Sequence, residues 1–120
     1  MKKALIVVDH GSIFEAANNQ LAEIVELLQD REHTFDIVRH AHMELASPTI
    51  ADAFDACVSD GASDITVHPY FLAPGRHSTT DIPRLVTEAA SKHPHVTYRI
   101  TAPLGIHDKI LELVIERAGK

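Results

Sequence analysis

The sequence predicts a single α/β domain over residues 1–120, a three-layer sandwich around a four-stranded parallel sheet. Apolar runs of strand length alternate four times with segments whose apolar residues recur at helical spacing. The first and third runs are almost continuously apolar, as expected for parallel strands covered on both faces. A length of 120 residues also suits one domain with its own core.

The first half of the chain predicts two strand–helix units. Strands are expected over Ala4–Val8 and Phe35–Met43. Ser12 and Glu15 have the spacing of a capping box, which predicts that the first helix begins just after the first strand. Ser47-Pro48 predicts the start of the second helix, with serine as N-cap and proline at the first position. The two apolar stripes are Leu21, Ile24, Val25 and Leu28, then Ile50, Ala53, Phe54, Cys57 and Val58.

The second half predicts two further units. The third strand is expected over Asp64–Leu72, followed by a loop over residues 73–77. Thr79 or Thr80 can cap the third helix, and Pro83 falls in its first turn, where proline is tolerated. A fourth strand is expected over residues 96–101, where apolar and polar residues alternate. The apolar stripes of the last two helices are Ile82, Leu85, Val86 and Ala89, then Ile106, Ile110, Leu113 and Val114.

The strand order follows from hydropathy. The two most apolar strands belong in the centre and the two alternating strands at the edges, which gives the order 2-1-3-4 of a small flavodoxin-like sheet. Its switch point lies between strands one and three, and such sheets bind ligands there, at the carboxyl ends of the strands. His10 and His77 follow those two strands, so we expect both imidazoles to overhang one crevice.

Composition narrows the function classes. A net charge of −6 argues against a nucleic-acid partner, which needs a basic face. The single cysteine, Cys57, excludes an internal disulfide and is expected to be a small core residue. No segment has the length of a membrane span or the pattern of a signal peptide, so no membrane partner is expected and a cytoplasmic location is predicted.

Two short motifs are candidates for chemistry. After the first strand, His10 precedes a turn-forming glycine and the hydroxyl of Ser12. After the third strand, Arg76, His77 and Ser78 form a group suited to a ligand that carries carboxylates. Imidazole accepts protons and binds transition metals near neutral pH. The alternatives are a strand-to-helix turn with an incidental histidine and a polar loop that caps a helix.

A third candidate follows from the spacing of His40, His42 and Glu44, which share one face of a strand. Two such histidines and a carboxylate can ligate a first-row metal. The simpler interpretation is that these residues form the solvent-exposed face of an edge strand. Glu44 lies at the carboxyl end of its strand, where it can assist a proton transfer. For the other histidines we expect structural or solvated roles: His33, His68, His93, His95 and His107.

The motifs together resemble the small class II chelatases, the CbiX-like or SirB-like sirohydrochlorin chelatases. The resemblance runs from about Ala4 to about Arg117, and the order and spacing of five motifs make it specific. The motifs are Val8-Asp9-His10-Gly11-Ser12, Met43-Glu44-Leu45-Ala46-Ser47-Pro48, Pro69-Tyr70-Phe71-Leu72-Ala73-Pro74-Gly75-Arg76-His77, Asp81-Ile82-Pro83 and Ala102-Pro103-Leu104-Gly105-Ile106-His107.

The resemblance implies insertion of a divalent metal, cobalt, iron or nickel, into a sirohydrochlorin-type tetrapyrrole, with the metal as substrate and no permanently bound cofactor. It implies that His10 and His77 act at the metal and that Glu44 assists. Long members contain two lobes in one chain, and short members pair as homodimers. Many members carry arginine where this chain has Ile13. Arg76, or Arg39 if it reaches the crevice, is expected to compensate.

These expectations define a mechanism and its rivals. One histidine holds the ion and the other accepts protons, in an order that the sequence leaves open, while Arg76, Ser12 and Ser78 meet the anionic rim of the substrate. A non-enzymatic metal carrier that binds metal tightly through His40 and His42 is the alternative. A flavodoxin-like receiver module is disfavoured because neither an acidic cluster nor a glycine-rich phosphate loop follows the first strand.

Overall fold

The computed structural model describes residues 2–119 and contains four strands that alternate with helices. A π-helical turn leads directly into the third helix. The elements are β1 Lys2–Asp9, α1 Glu15–Gln29, β2 Ile37–His42, α2 Ile50–Ser59, β3 Ala62–Pro69, the π-helical turn His77–Asp81, α3 Ile82–Ala90, β4 Thr97–Ile100 and α4 Asp108–Ala118.

The sheet has the order β2-β1-β3-β4 with every neighbouring pair parallel, which confirms the predicted order and fold class. In its register Val8 of β1 pairs with Ala41 on one side and with Pro69 on the other. The central strands β1 and β3 therefore end at the same edge. Sheets of this kind bind ligands at that edge.

The core lies on both faces of the sheet. The larger cluster joins alternate residues of the central strands, such as Ile6 and Val67, to α2 and α3 around the fully buried Phe54. The smaller cluster packs Val7 of β1 against Leu21 and other residues of α1. Cys57 is buried in the larger cluster, as expected, and burial raises the pKa of its thiol to about 11.

Three predicted helix starts were wrong. Ser12 does not cap α1; its hydroxyl accepts the Phe14 N–H at 2.9 Å, and α1 begins only at Glu15. The cap of α2 is Thr49, which forms a reciprocal capping box with Asp52, and Ser47 lies outside the helix. Thr49 and Asp52 have the spacing of a capping box in the sequence, and this signal begins two residues after Ser47.

The third start was wrong because helical winding begins at His77, the last residue of the predicted loop. The π-helical turn that starts there leads directly into α3. Neither Thr79 nor Thr80 caps α3; the Thr79 hydroxyl donates to the Gly75 carbonyl at 2.6 Å. Pro83 does fall in the first turn of α3. The extra winding places His77 and Asp81 on successive turns of one continuous helical segment.

The last helix forms around Ile110, Leu113 and Val114 as predicted, but Ile106 lies before its first residue and the helix does not close the core. None of the residues of α4 is buried, and most of its apolar side chains are exposed. No helix among residues 2–119 has both the length and the apolarity needed to cross a bilayer.

Candidate metal centre

The first wall of the site depends on a close approach between the ends of β1 and β2. The parallel ladder continues past the strands, because the N–H groups of Met43 and Glu44 donate to the carbonyls of Asp9 and His10 at 2.9 and 3.1 Å. Gly11 has a φ of +90°, and a Cβ built on it would lie 1.8 Å from the Glu44 carbonyl oxygen. Only glycine fits this position without moving the backbone.

This close approach brings His10 and Glu44 together. The Nε2 atom of His10 lies 3.4 Å from a Glu44 carboxylate oxygen. The Nδ1 atom lies 3.0 Å from the Gly11 carbonyl oxygen, so Nδ1 is the nitrogen that donates. In neutral His10 the lone pair is then on Nε2 and faces the carboxylate. A proton or a metal ion between these two bases would relieve their repulsion.

The second wall is His77, at the start of the π-helical turn. Its Nδ1 lies 3.1 Å from an Asp81 carboxylate oxygen one turn later, and its ring stacks on Phe71 with centroids 6.4 Å apart. A carboxylate that accepts one ring N–H is the usual support of a metal-binding histidine, because it leaves the other nitrogen free as a ligand. Asp81 is a site residue that we did not predict.

The two imidazoles meet as the sequence predicted. The ring centroids of His10 and His77 lie 4.6 Å apart with an interplanar angle of 74°. Each ring is held through its Nδ1 atom, and the two rings and the Glu44 carboxylate border one half-exposed crevice. Such a group can bind a soft or borderline divalent cation and can accept protons near neutral pH.

Across residues 2–119, no set of three or more His, Cys, Asp or Glu side chains is arranged to hold a metal ion by itself.

A hydrogen bond between a buried histidine and a carboxylate supports the site from behind. His42 is only 1% exposed, and its Nδ1 lies 2.6 Å from a carboxylate oxygen of Asp9, the residue before His10. The expectation of a solvated strand face was thus wrong for His42, because α1 and the loop after β2 cover its side chain. The same two segments line a small cavity beside it. This pair joins the last residues of β1 and β2, so it supports the positions of His10 and Glu44.

His40 lies beside this pair, with its ring centroid 5.6 Å from that of His42. Burial lowers the pKa of His40, and the neighbouring His42 lowers it further. His40 lines the polar cavity of about 260 Å³ that also includes Ser12 and Leu45. The third predicted group is therefore split: Glu44 faces the crevice and the two histidines lie beside α1.

The predicted substrate contacts differ in their surroundings. Arg76 is exposed next to His77 and pairs with no carboxylate among residues 2–119. The Ser78 hydroxyl is engaged within its own loop, where it accepts the Gly75 N–H at 3.0 Å. The Ser12 hydroxyl accepts a backbone N–H, as described above. Of the three, Arg76 is the one whose polar group is available to a ligand.

Other polar residues lie away from the crevice. Arg39 does not reach it, because its guanidinium pairs at 2.5 Å with Asp60, at the C-terminal end of α2. His93 is not simply solvated as expected; its Nε2 lies 2.8 Å from Asp55, and its ring stacks on Phe54. His68 is half-buried and bonded to Thr101, which agrees with its expected structural role.

The parallel α/β sheet carries two imidazoles and a carboxylate at its switch point, which is the arrangement that the resemblance to the class II chelatases implies. The model of the CbiX family matches residues 4–120, and the chain belongs to this family. The chloroplastic sirohydrochlorin ferrochelatase of Arabidopsis thaliana is 47% identical over 113 residues, which cover 94% of this chain and 50% of that protein.

Two further comparisons describe the range of lengths in the family. The sirohydrochlorin cobaltochelatase of Methanocaldococcus jannaschii is 32% identical over 142 residues, covering 97% of both chains. The solved structure of sirohydrochlorin chelatase SirB from Bacillus subtilis subspecies spizizenii, in complex with cobalt, superposes with a TM-score of 0.93 at 32% identity. That match covers 99% of this chain and 50% of the SirB chain, so this chain spans half the length of SirB and of the Arabidopsis relative.

Proposed function

We propose that this chain inserts a divalent metal ion into a sirohydrochlorin-type tetrapyrrole. The observation that carries the proposal is the pair of imidazoles, His10 and His77, 4.6 Å apart beside the Glu44 carboxylate. The relatives named as sirohydrochlorin ferrochelatase and cobaltochelatase support the same class of substrate. Cobalt, iron and nickel are the candidate ions, and the ion is a substrate of the reaction.

The reaction needs a ligand for the ion and a base for protons. Insertion forms bonds from the ion to the macrocycle nitrogens and breaks two pyrrolic N–H bonds, so two protons must leave. His10 and His77 share the two roles, one holding the ion and the other accepting the first proton. Glu44 lies 3.4 Å from His10 Nε2 and can accept the second proton. If Glu44 contacts the ion instead, the accepting histidine releases the first proton to water and then takes up the second.

The fixed orientation of the two rings supports this division. The Gly11 carbonyl and the Asp81 carboxylate both engage an Nδ1 atom, so each neutral imidazole presents Nε2 as its base. The rings therefore lose little rotational freedom when they bind the ion. Such positioning accelerates a reaction because the entropy cost is met during folding.

The carboxylates of the substrate need cationic or hydrogen-bonding partners. Arg76 is the first candidate, because it is exposed beside His77 and can form a bidentate pair with a carboxylate. Ser12 and Ser78 contribute only if their present backbone contacts exchange for the ligand. We therefore expect Arg76→Ala to weaken tetrapyrrole binding more than Ser12→Ala or Ser78→Ala.

A flat macrocycle is wide relative to this crevice, which has walls from one lobe only. A second copy of the chain would supply the opposite wall, and a two-fold homodimer is the commonest closed arrangement. We therefore propose a homodimer as the active form. The cytoplasmic location remains a prediction from the sequence.

An absorbance assay tests the proposal directly. Sirohydrochlorin is mixed with the protein and, separately, with cobalt, iron(II) under anaerobic conditions, or nickel, and the rates are compared with those of the metal alone. We expect His10→Ala and His77→Ala to lower the rate by at least about 100-fold while the far-UV circular dichroism is unchanged. The matched control is His95→Ala, which removes an exposed histidine just before β4.

The same protein preparations separate the proposal from a metal carrier. A carrier would bind metal tightly and stoichiometrically without accelerating metallation, and binding would depend on His40 and His42. That arrangement is disfavoured because the His42 side chain is only 1% exposed, so its remaining ring nitrogen is closed to an incoming ion. Rates equal to those of the metal alone, together with tight metal binding, would replace the proposed function with the carrier.

A further inference from the structure

The four loops that follow the strands expose large apolar side chains. These side chains, which we call the apolar rim, are Ile13 and Phe14 after β1, Leu45 after β2, Leu72 after β3 and Ile106 after β4, and they are 60–98% exposed. The loops at the opposite edge of the sheet, residues 30–36, 60–61 and 91–96, expose no large apolar side chain. Single exposed apolar residues are common on protein surfaces, whereas a set gathered at one edge marks a contact surface.

The apolar rim surrounds the metal centre. Leu45 directly follows Glu44, the carboxylate of the centre. Leu72 directly follows the phenylalanine whose ring stacks on His77. A ligand that reaches the two imidazoles from solvent therefore also meets these apolar side chains.

The rim has two halves, one on each side of the centre. Ile13 and Leu45 line the same cavity, so the loops after β1 and β2 form the first half. The Gly105 N–H donates to the Leu72 carbonyl at 3.0 Å, which holds the loops after β3 and β4 together as the second half. The distance from β2 to β4 is three strand spacings, about 14 Å. One broad, flat ligand can therefore contact both halves.

The backbone of Leu45 is strained. Its φ is +70°, and it is the one residue other than glycine with a positive φ in the chain from position 2 to position 119. Bulky residues rarely adopt this conformation, and such strain concentrates at ligand-binding sites. The side chain is 60% exposed, so packing inside the protein does not offset the strain. Contact with a ligand would account for both the strain and the exposure.

We propose that one face of a planar tetrapyrrole lies on the apolar rim. A metal ion enters a macrocycle along the normal to the ring plane, so the ring must lie face-on above His10 and His77. The surface around the two imidazoles then meets the apolar face of the ring, and the peripheral carboxylates extend toward Arg76 and solvent. This inference rests on the proposed function and adds the residues that bind the body of the macrocycle.

A binding titration without metal tests the rim. The dissociation constant of metal-free sirohydrochlorin is measured from its fluorescence for wild type and Leu45→Asn, because asparagine tolerates a positive φ but removes the apolar side chain. We expect Leu45→Asn to raise the dissociation constant roughly 5- to 20-fold, the scale for burying part of a leucine. The matched control is Leu27→Asn in the last turn of α1, where the leucine is 61% exposed.

Two further measurements separate ligand contact from other roles. Leu45→Asn should melt at or above the wild-type temperature, because the strain is relieved, whereas the loss of a packing residue would lower the melting temperature. The fold-change for Leu45→Asn should be the same at about 0.1 M and about 1 M salt, because an apolar contact is not screened. The fold-change for Arg76→Ala should shrink over the same range.

The second half of the rim is tested with Ile106→Asn. This residue is 98% exposed, so we expect no loss of stability and a rise in the dissociation constant similar to that of Leu45→Asn. Because the two residues lie in different halves, the double variant should show the product of the two fold-changes. A loss confined to one of the two variants would overturn a ring that spans the centre.

The outcomes for the rim and for the proposed function are distinct. A Leu45→Asn dissociation constant within about twofold of wild type overturns the inference. So does a variant that changes only the sedimentation of the protein, since the rim would then contact a second copy. If that chain still metallates sirohydrochlorin through His10 and His77, the proposed function stands. Binding that depends on the rim, without metallation, leaves this surface in place and removes the function.

Discussion

Replacing Gly11 by alanine should disable the metal centre more than it destabilises the fold. The added Cβ would lie 1.8 Å from the Glu44 carbonyl oxygen and 3.2 Å from the His42 Cβ. Moving the oxygen out to 3.4 Å, where ordinary contact begins, requires a displacement of about 1.6 Å. The hydrogen bond from Glu44 N–H to the His10 carbonyl, now 3.1 Å, cannot survive that shift.

The expected cost has two parts. The φ of +90° adds backbone strain of roughly 1–2 kcal/mol for a residue with a Cβ, and the lost hydrogen bond adds about 1 kcal/mol. A loss of about 2–3 kcal/mol lowers Tm by roughly 10 °C in a chain of this size. The catalytic effect is larger, because a displacement of about 1 Å between reacting groups can cost about 100-fold in rate. His10 and Glu44 would both move.

The assay is the rate of sirohydrochlorin metallation, measured beside a thermal melt. Gly75→Ala is the control: Gly75 lies in the loop before His77, and a Cβ there meets nothing within 4 Å. We expect Gly75→Ala to retain its rate and a stability within about 0.5 kcal/mol of wild type. A folded Gly11→Ala variant with more than half of the wild-type rate would refute the argument that this close approach positions the centre.

Three further changes test other parts of the structure. His42→Ala leaves the Asp9 carboxylate without its buried partner and should cost about 2–4 kcal/mol in chemical denaturation, whereas His42→Asn, which keeps a donor near Nδ1, should recover part of that loss. Burial lowers the pKa of His68 below 6.5, so the unfolded chain binds the proton more readily and stability falls as the pH drops below about 6.5; a melting temperature that falls as steeply in His68→Gln would contradict this. Thr49→Ala should cost about 1 kcal/mol in the same denaturation experiment, and Ser47→Ala close to nothing.

The strand order was predictable because the hydropathy pattern of each strand indicates whether one or both of its faces are buried. The apolar runs that became β1 and β3 could only be stable where both faces are covered, and that places them in the centre. Because β1 and β3 are neighbouring parallel strands, their carboxyl ends, and with them His10 and His77, lie at one edge. The contact between the two rings therefore followed from topology and needed no knowledge of side-chain packing.

The supports of the site were less predictable, because they depend on local winding and on burial by distant segments. Asp81 follows His77 by four residues, a helical spacing, but the intervening residues read as a loop and its capping threonines. His42 alternates with His40 as on a solvated strand, and only the three-dimensional packing of α1 and its neighbouring loop makes it buried.

The last helix also shows that the sequence predicts local structure better than tertiary contacts. The apolar period of Ile110, Leu113 and Val114 correctly predicted a helix, although Ile106 lies outside it, since periodicity depends on the helix itself. Periodicity does not report which surface the apolar stripe meets. Val114 and its neighbours on α4 stay exposed within the part of the chain that the structure describes.

The openness of the crevice has a consequence for how an ion would be handled. The side chains of His10, His77 and Glu44 are 40%, 48% and 53% exposed. An ion held by these groups would keep water on its outward side, and those waters would be the first ligands to exchange for incoming ring nitrogens. We therefore expect the bound ion to exchange rapidly and its occupancy to vary with the concentration of free ion in solution. Such a site transfers an ion and does not store it.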